Sequence, residues 1–427
     1  MQSEDLLQFI WQYALYRPEN LKTTAGETVT VISPGTRNRD AGPDFSHARI
    51  RLNETLFAGH VELHLKSSDW LRHGHQHDPA YERLVLHVVY EHDTGPELPN
   101  RIPVLQLKEH IPDYVLAQYS SLLHTVAPLP CQHRLQEIPE VIRESWLNRM
   151  LAERWEEKLG GWQLQLAQAG GDWRTLFYWR LAAAFGLKVN AQPFLMLAQS
   201  LPMTILAKHQ NQLFQLEALL FGQAGLLEQD FKDDYALRLQ QEYRFLQQKY
   251  RLQPIPAALW KFMRMRPPNF PTIRIAQFAA LIHQSDNLMA AMMQTGSYKA
   301  LEILLNVKAS PYWDNHYRFE VPATAKGPKQ FGASAIQYLI INAIAPMQFL
   351  YHGEQGNLQA QERALQLLES IPPEENSRLK PWLEAGWAPK HAGHSQALIQ
   401  LFSNYCSLKR CLECAVGLYL IRRSPVK

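Results

Sequence analysis

Apolar and polar residues alternate in several short segments between Glu27 and about Leu107, and this alternation predicts a β-sheet. Gly, Pro, Asn and Asp separate the segments, which read ETVTVIS, HARIRL, HVELHLK, RLVLHVVYE and IPVLQLK. Because a strand turns successive side chains to opposite faces, each segment can bury one face. We therefore expect these five segments to be the strands of one sheet.

Helical periodicity replaces the alternation on both sides of this region. Residues 5–16 predict a first helix, which Arg17-Pro18 ends. After Cys131 one amphipathic helix follows another, and the proline-rich residues 264–274 predict an extended connection between two of them. The expected fold class is α+β, with residues 1–130 as a domain of sheet and helix and residues 131–427 as an all-α domain.

Composition and charge add few constraints. A chain of 427 residues, 46% of them hydrophobic, can bury a large core and should form two or three domains. The 43 basic and 40 acidic residues leave a net charge of only +3, so no global field indicates nucleic acid or a membrane, although a local basic groove stays open. The acidic start and the lack of an apolar run of roughly 18 residues predict a soluble, cytoplasmic protein.

Chemically capable side chains are densest between Asp40 and Asp93. In the strand HVELHLK, the side chains of His60, Glu62, His64 and Lys66 share one face, while Val61, Leu63 and Leu65 can pack on the other. Asp44 lies at the edge of a neighbouring strand. Two carboxylates from adjacent strands can hold Mg²⁺ or Mn²⁺, and His64 or Lys66 could stabilise charge on a phosphate.

This arrangement resembles the PD-(D/E)xK nuclease superfamily, through Pro43-Asp44 followed by Glu62-Leu63-His64. The resemblance implies a restriction-endonuclease-type core of a mixed sheet flanked by helices. It also implies metal-dependent cleavage of DNA or RNA, with Asp44 and Glu62 as ligands. The superfamily's lysine is expected two residues after the second carboxylate, where His64 stands, and Lys66 lies two residues further on. An active enzyme whose lysine has migrated and a pseudo-nuclease both fit.

A histidine-rich segment follows, with His73, His75, His77 and Asp78 after the second carboxylate. Nucleases of the very-short-patch repair type similarly place histidines there, followed by an Asp, an Arg and an apolar strand. These residues are therefore candidate accessory metal ligands. Two other interpretations stay open: a site for Zn or Mn in another kind of hydrolase, since imidazole suits such metals, and a solvated loop without a ligand.

Segments along nearly the whole chain resemble an uncharacterised bacterial family, domain of unknown function 2851, seen mostly in Bacteroidetes and their relatives. They are GPDFSHARI, GHVELHLKSSDW, HQHDPAYERLVLHVVYEHD, RPPNFPTIRIAQFA and NYCSLKRCLECAVG. Membership would imply a fold but no activity. The nuclease hypothesis therefore depends on the residues, and a non-catalytic binding or scaffold protein that keeps the fold is the alternative.

The cysteines are a second candidate site. Cys406, Cys411 and Cys414 have the spacing C-x₄-C-x₂-C, which with one distant cysteine holds an iron–sulfur cluster in plant-type ferredoxins, and Cys131 could be the fourth ligand. We expect Cys131 within about 8 Å of the other three if they share Zn or a cluster. The alternatives are ordinary packing, with the last segment a plain amphipathic helix, and a disulfide.

Three arginines could contact nucleic acid. Arg264, Arg266 and Arg274 lie around Phe270, and arginines interleaved with aromatic side chains can bind phosphates and stack bases. The alternative is a loop whose arginines pair with carboxylates or helix ends.

Overall fold

The computed structural model describes residues 3–93, 102–285 and 287–424. The chain packs into two compact units. The first unit comprises Met1–Leu147, Lys380–Trp387 and Ile399–Lys427, and the second comprises Asn148–Leu379 and Ala388–Leu398. The sequence predicts consecutive domains divided at residue 130, whereas the first unit combines the start of the chain with two later segments.

The first unit contains a mixed sheet that includes all five predicted strands. The strands are β1 (Val29–Ser33), β2 (Thr36–Arg37), β3 (Phe45–Leu52), β4 (Thr55–Lys66), β5 (Leu84–Glu91) and β6 (Val104–Gln106). Their order is β1-β3-β4-β5-β6, and the short β2 also pairs with β3. The pairs β1–β3, β2–β3 and β3–β4 are antiparallel, whereas β4–β5 and β5–β6 are parallel.

The register of β4 decides which side chains meet. Phe45 at the start of β3 pairs with Val61, so Asp44 lies beside Glu62. On the other side of β4, Glu62 pairs with His87 of β5. Val61 and Leu63 are fully buried, as the alternation predicts, while Leu65 is only half-buried because it lies close to the strand end.

Three helices accompany the sheet: α1 (Glu4–Gln12), α2 (Asp69–Arg72) and α3 (Asp113–His124). Ser3 caps α1 by accepting a hydrogen bond from the backbone N–H of Leu6, and the apolar face of α1 is buried. The helix is shorter than the predicted 5–16. It ends at Gln12, because Ala14 has a left-handed backbone with φ of 49° that cannot continue a right-handed helix.

The second unit is almost entirely helical, around a continuous core of Leu, Ile and aromatic side chains. Its helices are α4 (Glu140–Gln168, which begins in the first unit), α5 (Trp173–Phe185), α6 (Ala191–Ser200), α7 (Met203–Lys208), α8 (Leu213–Gln223), α9 (Asp234–Tyr250), α10 (Pro271–Gln284), α11 (Leu288–Gln294), α12 (Tyr298–Leu305), α13 (Ala333–Leu339), α14 (Ala345–Glu354) and α15 (Leu358–Ser370). A π-helical turn, Ile340–Ile344, joins α13 to α14.

The expectation of an all-α region after residue 130 needs one correction, a small antiparallel pair, β7 (His316–Arg318) and β8 (Val321–Pro322). Glu320 between them has φ of 62°, which allows the chain to turn back there. The helical stretch Ala333–Glu354 is long and apolar enough to cross a membrane, but it is mostly buried, as a core helix of this length would be.

The last segment of the chain forms α16 (Lys380–Glu384), α17 (Ala392–Leu401) and α18 (Ala415–Arg422). Between α17 and α18 the backbone forms a π-helical turn, Phe402–Cys406, and a 3₁₀ turn, Cys411–Glu413. The interpretation as a single amphipathic helix is therefore wrong. Lys409 has φ of 53°, and this left-handed residue interrupts the helix between the cysteines.

Candidate metal centre

Asp44 and Glu62 are held beside each other by the antiparallel β3–β4 pair. The backbone N–H of Asp44 donates to Glu62 Oε2 at 3.0 Å, and the backbone N–H of Leu63 donates to Asp44 Oδ2 at 3.0 Å. Gln8 of α1 donates from Nε2 to Asp44 Oδ1 at 2.7 Å. These contacts fix both carboxyl groups at the edge where α1 covers the sheet.

Three imidazoles converge on the same place. His64 follows Glu62 on the same face of β4, and the chain after α2 turns at Gly74, with φ of 74°, to bring back His73 and His75. One ring nitrogen from each of the three histidines lies within 4.8 Å of the other two.

The donor atoms of this cluster are closely spaced. His64 Nε2 lies 3.1 Å from His73 Nδ1 and 3.6 Å from Glu62 Oε1. His75 Nε2 lies 3.3 Å from the same Glu62 oxygen. We call His64, His73, His75 and Glu62 the histidine–carboxylate cluster.

This spacing fits a metal ion. Ligand atoms around a tetrahedral ion with bonds of about 2.1 Å lie about 3.4 Å apart, which is close to the His64–His73, His64–Glu62 and His75–Glu62 separations of 3.1, 3.6 and 3.3 Å. Among the described residues the donor atoms that all lie within 4.8 Å of one another are those of the three histidines, and Glu62 contacts two of these histidines. Imidazole with carboxylate suits Zn²⁺, Mn²⁺ and similar ions better than Mg²⁺, which prefers oxygen ligands and keeps several waters. Of the two predicted ions, Mg²⁺ and Mn²⁺, the donor types of the cluster therefore suit Mn²⁺ better.

Burial controls the protonation of these groups. Together with the charge of Asp44, it raises the pKa of Glu62 to about 8. Burial also raises the pKa of Asp44 to about 6. In the opposite direction, burial lowers the pKa of His64 to about 2 and of His75 below its usual value, with neighbouring histidines adding to both shifts. The imidazole of His64 is thus neutral at physiological pH, and the lowered pKa of His75 favours its neutral form, which is the form that binds metals.

His87 and two aromatic residues surround the cluster. His87 is fully buried, and its Nε2 forms a 2.8 Å hydrogen bond with Nδ1 of His64. Tyr81 stacks on His75 with ring centroids 4.1 Å apart, and Trp70 lies 5.2 Å from His75. Coordination through Nε2 of His64 would place its proton on Nδ1, where His87 accepts it and fixes the ring.

His87 is not among the site residues that the sequence pattern predicts. The available signal is a polar histidine within the apolar strand segment LVLHVVYE. Its role depends on the parallel pairing of β4 with β5, which places His87 opposite Glu62, and local sequence does not specify that pairing.

Replacing His87 is expected to weaken metal binding without removing a ligand. His87→Leu leaves Nδ1 of His64 without its partner, so the affinity for Mn²⁺ or Zn²⁺ should fall about 10- to 100-fold. His87→Gln offers an amide oxygen in its place and should retain most of the affinity. Calorimetric titration of metal into each folded variant measures this, with exposed His92→Ala as the control; equal affinity in the Leu and Gln variants would contradict the positioning role.

Several predicted residues lie outside the cluster. Lys66 is exposed at the end of β4, where its backbone N–H donates to Asp69 Oδ2 and its charge acts on Glu91. His77 is exposed, and Asp78 caps the 3₁₀ turn Pro79–Tyr81 by accepting from the backbone N–H of Ala80. The structure therefore brings Asp44, Glu62, His64, His73 and His75 together, but not Lys66, His77 or Asp78.

Asp44 also opens onto a surface cavity of about 530 Å³ within the first unit. The basic residues that line the cavity are Arg37, Arg39, Lys409 and Arg410, and its acidic residues besides Asp44 are Asp5, Asp40 and Glu413. Arg39 is the most accessible of these ion-paired cations, because its side chain is 72% exposed and contacts Glu413 at 3.7 Å. A negatively charged ligand could therefore approach Asp44 past basic side chains.

The three candidate nucleic-acid arginines do not form one surface. Residues 264–274 were predicted to form an extended connection, and this is only partly correct. A 3₁₀ turn, Pro267–Asn269, lies within them, and α10 already begins at Pro271. Arg274 is therefore helical and buried, with its guanidinium 4.7 Å from the Phe331 ring and bonded to Asn269 and Gln277. Arg264 and Arg266 are exposed.

Comparison with known proteins identifies one family. A family model described as "Protein of unknown function (DUF2851)" matches residues 4–377. No curated protein and no solved structure matches the chain.

Proposed function

We propose that this chain, which belongs to the DUF2851 family, is a divalent-metal-dependent nuclease that hydrolyses phosphodiester bonds. The family description names no activity, so the proposal depends on the residues. The observation that carries it is the convergence of Asp44, Glu62, His64, His73 and His75 around the central strand β4.

The donor set assigns separate roles to these residues. Glu62 and the three imidazoles would hold a transition metal such as Mn²⁺ or Zn²⁺, with Asp44 next to it on the side of the cavity. A divalent ion there would lower the pKa of a coordinated water and neutralise charge on a phosphate oxygen. Asp44, whose pKa is raised to about 6, could accept a proton from the attacking water near neutral pH.

Two features favour a phosphodiester substrate over other hydrolysable bonds. The antiparallel β3–β4 pair places Asp44 beside Glu62, and the sheet is mixed, as the resemblance to PD-(D/E)xK nucleases implies. The lining of the cavity beside Asp44 includes arginine and lysine side chains, which bind phosphate groups in nucleic-acid-binding proteins, although its three arginines are ion-paired with Asp5 or Glu413. DNA or RNA is therefore the proposed substrate class.

The second candidate is a non-catalytic binding or scaffold protein that retains this fold. The exposed position of Lys66 favours it, because the residue expected to stabilise the phosphate in these nucleases lies away from the carboxylates. The imidazole of His64, which stands at the position expected for the lysine, is neutral and does not supply an equivalent positive charge.

A cleavage panel separates the two candidates. Full-length protein is incubated with single-stranded, duplex and branched DNA and with RNA, each with Mn²⁺, Zn²⁺ or Mg²⁺ and with a chelator. We expect cleavage of at least one substrate with Mn²⁺ or Zn²⁺, weaker cleavage with Mg²⁺, and none with the chelator or with Asp44→Ala. Metal binding without cleavage of any substrate would support the non-catalytic candidate and end the nuclease proposal.

Replacing Lys66 tests whether a migrated lysine takes part in the reaction. Because its side chain is exposed at the end of β4, Lys66→Ala should change kcat/KM for the best substrate by less than about threefold. A lysine that stabilised the transition state would cost about 100-fold or more on removal. Steady-state kinetics of wild type and Lys66→Ala measure the difference in kcat/KM, and Lys22→Ala, which changes another exposed lysine, is the control. A loss of about 100-fold in Lys66→Ala would show that Lys66 takes part in the reaction.

A further inference from the structure

All four cysteines of the chain meet in the first unit. Cys131 immediately precedes the 3₁₀ turn Gln132–Glu137, Cys406 ends the π-helical turn, Cys411 begins the next 3₁₀ turn, and Cys414 precedes α18. In every one of the six pairs, the two thiols are close enough for the charge of one to raise the pKa of the other. Ordinary core packing gives no reason for all the cysteines of a 427-residue chain to gather.

The cluster lies in the interior and contains no disulfide. Cys406, Cys411 and Cys414 are each 8% exposed, and Cys131 is half-buried. All four are free thiols, so the disulfide alternative is not realised. Among the described residues no three sulfurs lie within 4.8 Å of one another, so ligation would draw them together.

The backbone around Cys411 and Cys414 suits thiolate ligands. The N–H of Cys414 donates to the carbonyl of Cys411 at 3.4 Å, which closes the C-x₂-C segment into a tight turn. Burial raises the pKa of Cys414, and hydrogen bonds from the backbone N–H groups of Gly417 and Val416 to its sulfur oppose this shift. A side chain at Gly417 would meet the carbonyl oxygen of Cys411 at 2.0 Å, so this close approach requires glycine.

Basic residues lie beside the cluster and offset negative charge. Burial raises the pKa of Cys131 and of Cys411, and the positive charges of Arg134 and Lys409 respectively oppose this shift. Lys409 also donates from Nζ to the backbone carbonyls of Leu123 and Thr125, which fastens the C-terminal segment to the chain just before Cys131.

We propose that Cys131, Cys406, Cys411 and Cys414 form a tetrathiolate site for a thiophilic metal, held as Zn²⁺ or as an iron–sulfur cluster. Four protein ligands close the coordination sphere, so the site is structural rather than catalytic. It joins the C-terminal segment to the region around Cys131 within the first unit. The proposal is independent of the histidine–carboxylate cluster and of nuclease activity.

Cobalt titration tests the site without interference from the histidines. Co²⁺ is added to metal-free, reduced full-length protein, because thiolate-to-cobalt charge-transfer absorption reports sulfur ligands and not imidazole. We expect about one Co²⁺ per chain to produce this absorption and Zn²⁺ to displace it. Iron, sulfide and zinc analysis of protein purified anaerobically then distinguishes a cluster from zinc.

Two variants assign the ligands. Cys131→Ser and Cys411→Ser should each remove most of the charge-transfer absorption, whereas Leu408→Ser, exposed in the same segment, should leave it unchanged. The wild-type titration stays decisive if a serine variant fails to fold. A wild-type protein that shows no thiolate absorption with Co²⁺ and contains neither zinc nor iron would overturn the proposal, as would a folded Cys131→Ser variant that binds as wild type.

Discussion

The Glu62→Gln variant is expected to lose metal-dependent phosphodiester cleavage by about a thousandfold or more while the protein stays folded. Glu62 contacts both Asp44 and the histidines of the site. Its Oε2 accepts the N–H of Asp44, and its Oε1 lies within 3.6 Å of ring nitrogens of His64 and His75. Loss of the carboxylate therefore removes a ligand and most of the charge that holds the ion.

Folding should survive this change for an electrostatic reason. Burial and the charge of Asp44 raise the pKa of Glu62 to about 8, so the metal-free protein favours the uncharged acid near neutral pH. Glutamine is close in shape to that acid and can still accept the N–H of Asp44. We expect a change in the free energy of unfolding of less than about 1 kcal/mol.

The measurement is kcat/KM on the best substrate of the cleavage panel, with circular dichroism to verify the fold. Glu54→Gln, an exposed carboxylate in the turn between β3 and β4, is the matched control and should keep full activity. A folded Glu62→Gln protein with the activity of the parent would mean that cleavage occurs at another site.

Alternation was sufficient to predict the sheet and the face that carries Glu62 and His64. It succeeded because successive side chains of a strand point to opposite faces. The alternation does not show that Glu62 and His64 are buried like Val61 and Leu63, since both faces of β4 are covered there. Proximity of Asp44 to Glu62 was also predictable, since β3 and β4 are consecutive strands joined by a short turn. Local pairing of this kind can be inferred from neighbouring segments.

The histidine–carboxylate cluster was only partly predictable. The residues His73, His75 and His77 have equal spacing, yet only the first two reach His64, because Gly74 turns the chain between them and His77 ends exposed. The contact of His87 with His64 needs the parallel β4–β5 pairing, which forms across the segment that contains α2. Backbone turns and non-local pairing of this kind do not appear in a hydrophobic pattern.

In the C-terminal segment, the hydrophobic pattern predicts a helix that the structure interrupts. Its apolar spacing is compatible with one long helix, and nothing in that spacing indicates the left-handed Lys409 that separates Cys406 from Cys411. The spacing of the cysteines themselves was the more informative signal. It predicts that they share a site with Cys131, which belongs to the same compact unit.

Saturating Mn²⁺ is expected to stabilise the protein strongly through the histidine–carboxylate cluster. An ion that binds only the folded state stabilises it by about 2.7 kcal/mol at 100 times its dissociation constant and by about 4 kcal/mol at 1,000 times. We therefore expect a thermal unfolding transition that moves up by several degrees with Mn²⁺ and returns with a chelator. Mn²⁺ is chosen because it prefers imidazole and carboxylate to thiolate, so the four cysteines contribute little.

The ligand assignment predicts which variants lose this shift. His73→Ala combined with His75→Ala removes two of the four donors, so the Mn²⁺-induced stabilisation should disappear. His77→Ala removes an exposed histidine of the same segment and should keep the full shift.

The same experiment distinguishes a metal centre from a buried histidine network that serves only the fold. In such a network the short contacts are hydrogen bonds, for example from a protonated Glu62 to His75, and the cluster is complete without an ion. The double variant would then lower the stability of the metal-free protein, and Mn²⁺ would shift neither wild type nor variant. If the cluster is a metal centre, removing the metal leaves the Glu62 carboxylic acid and the imidazoles close together, without the cation that they would bind. Loss of His73 and His75 should then cost the metal-free protein little and the Mn²⁺-saturated protein the whole stabilisation that the ion provides.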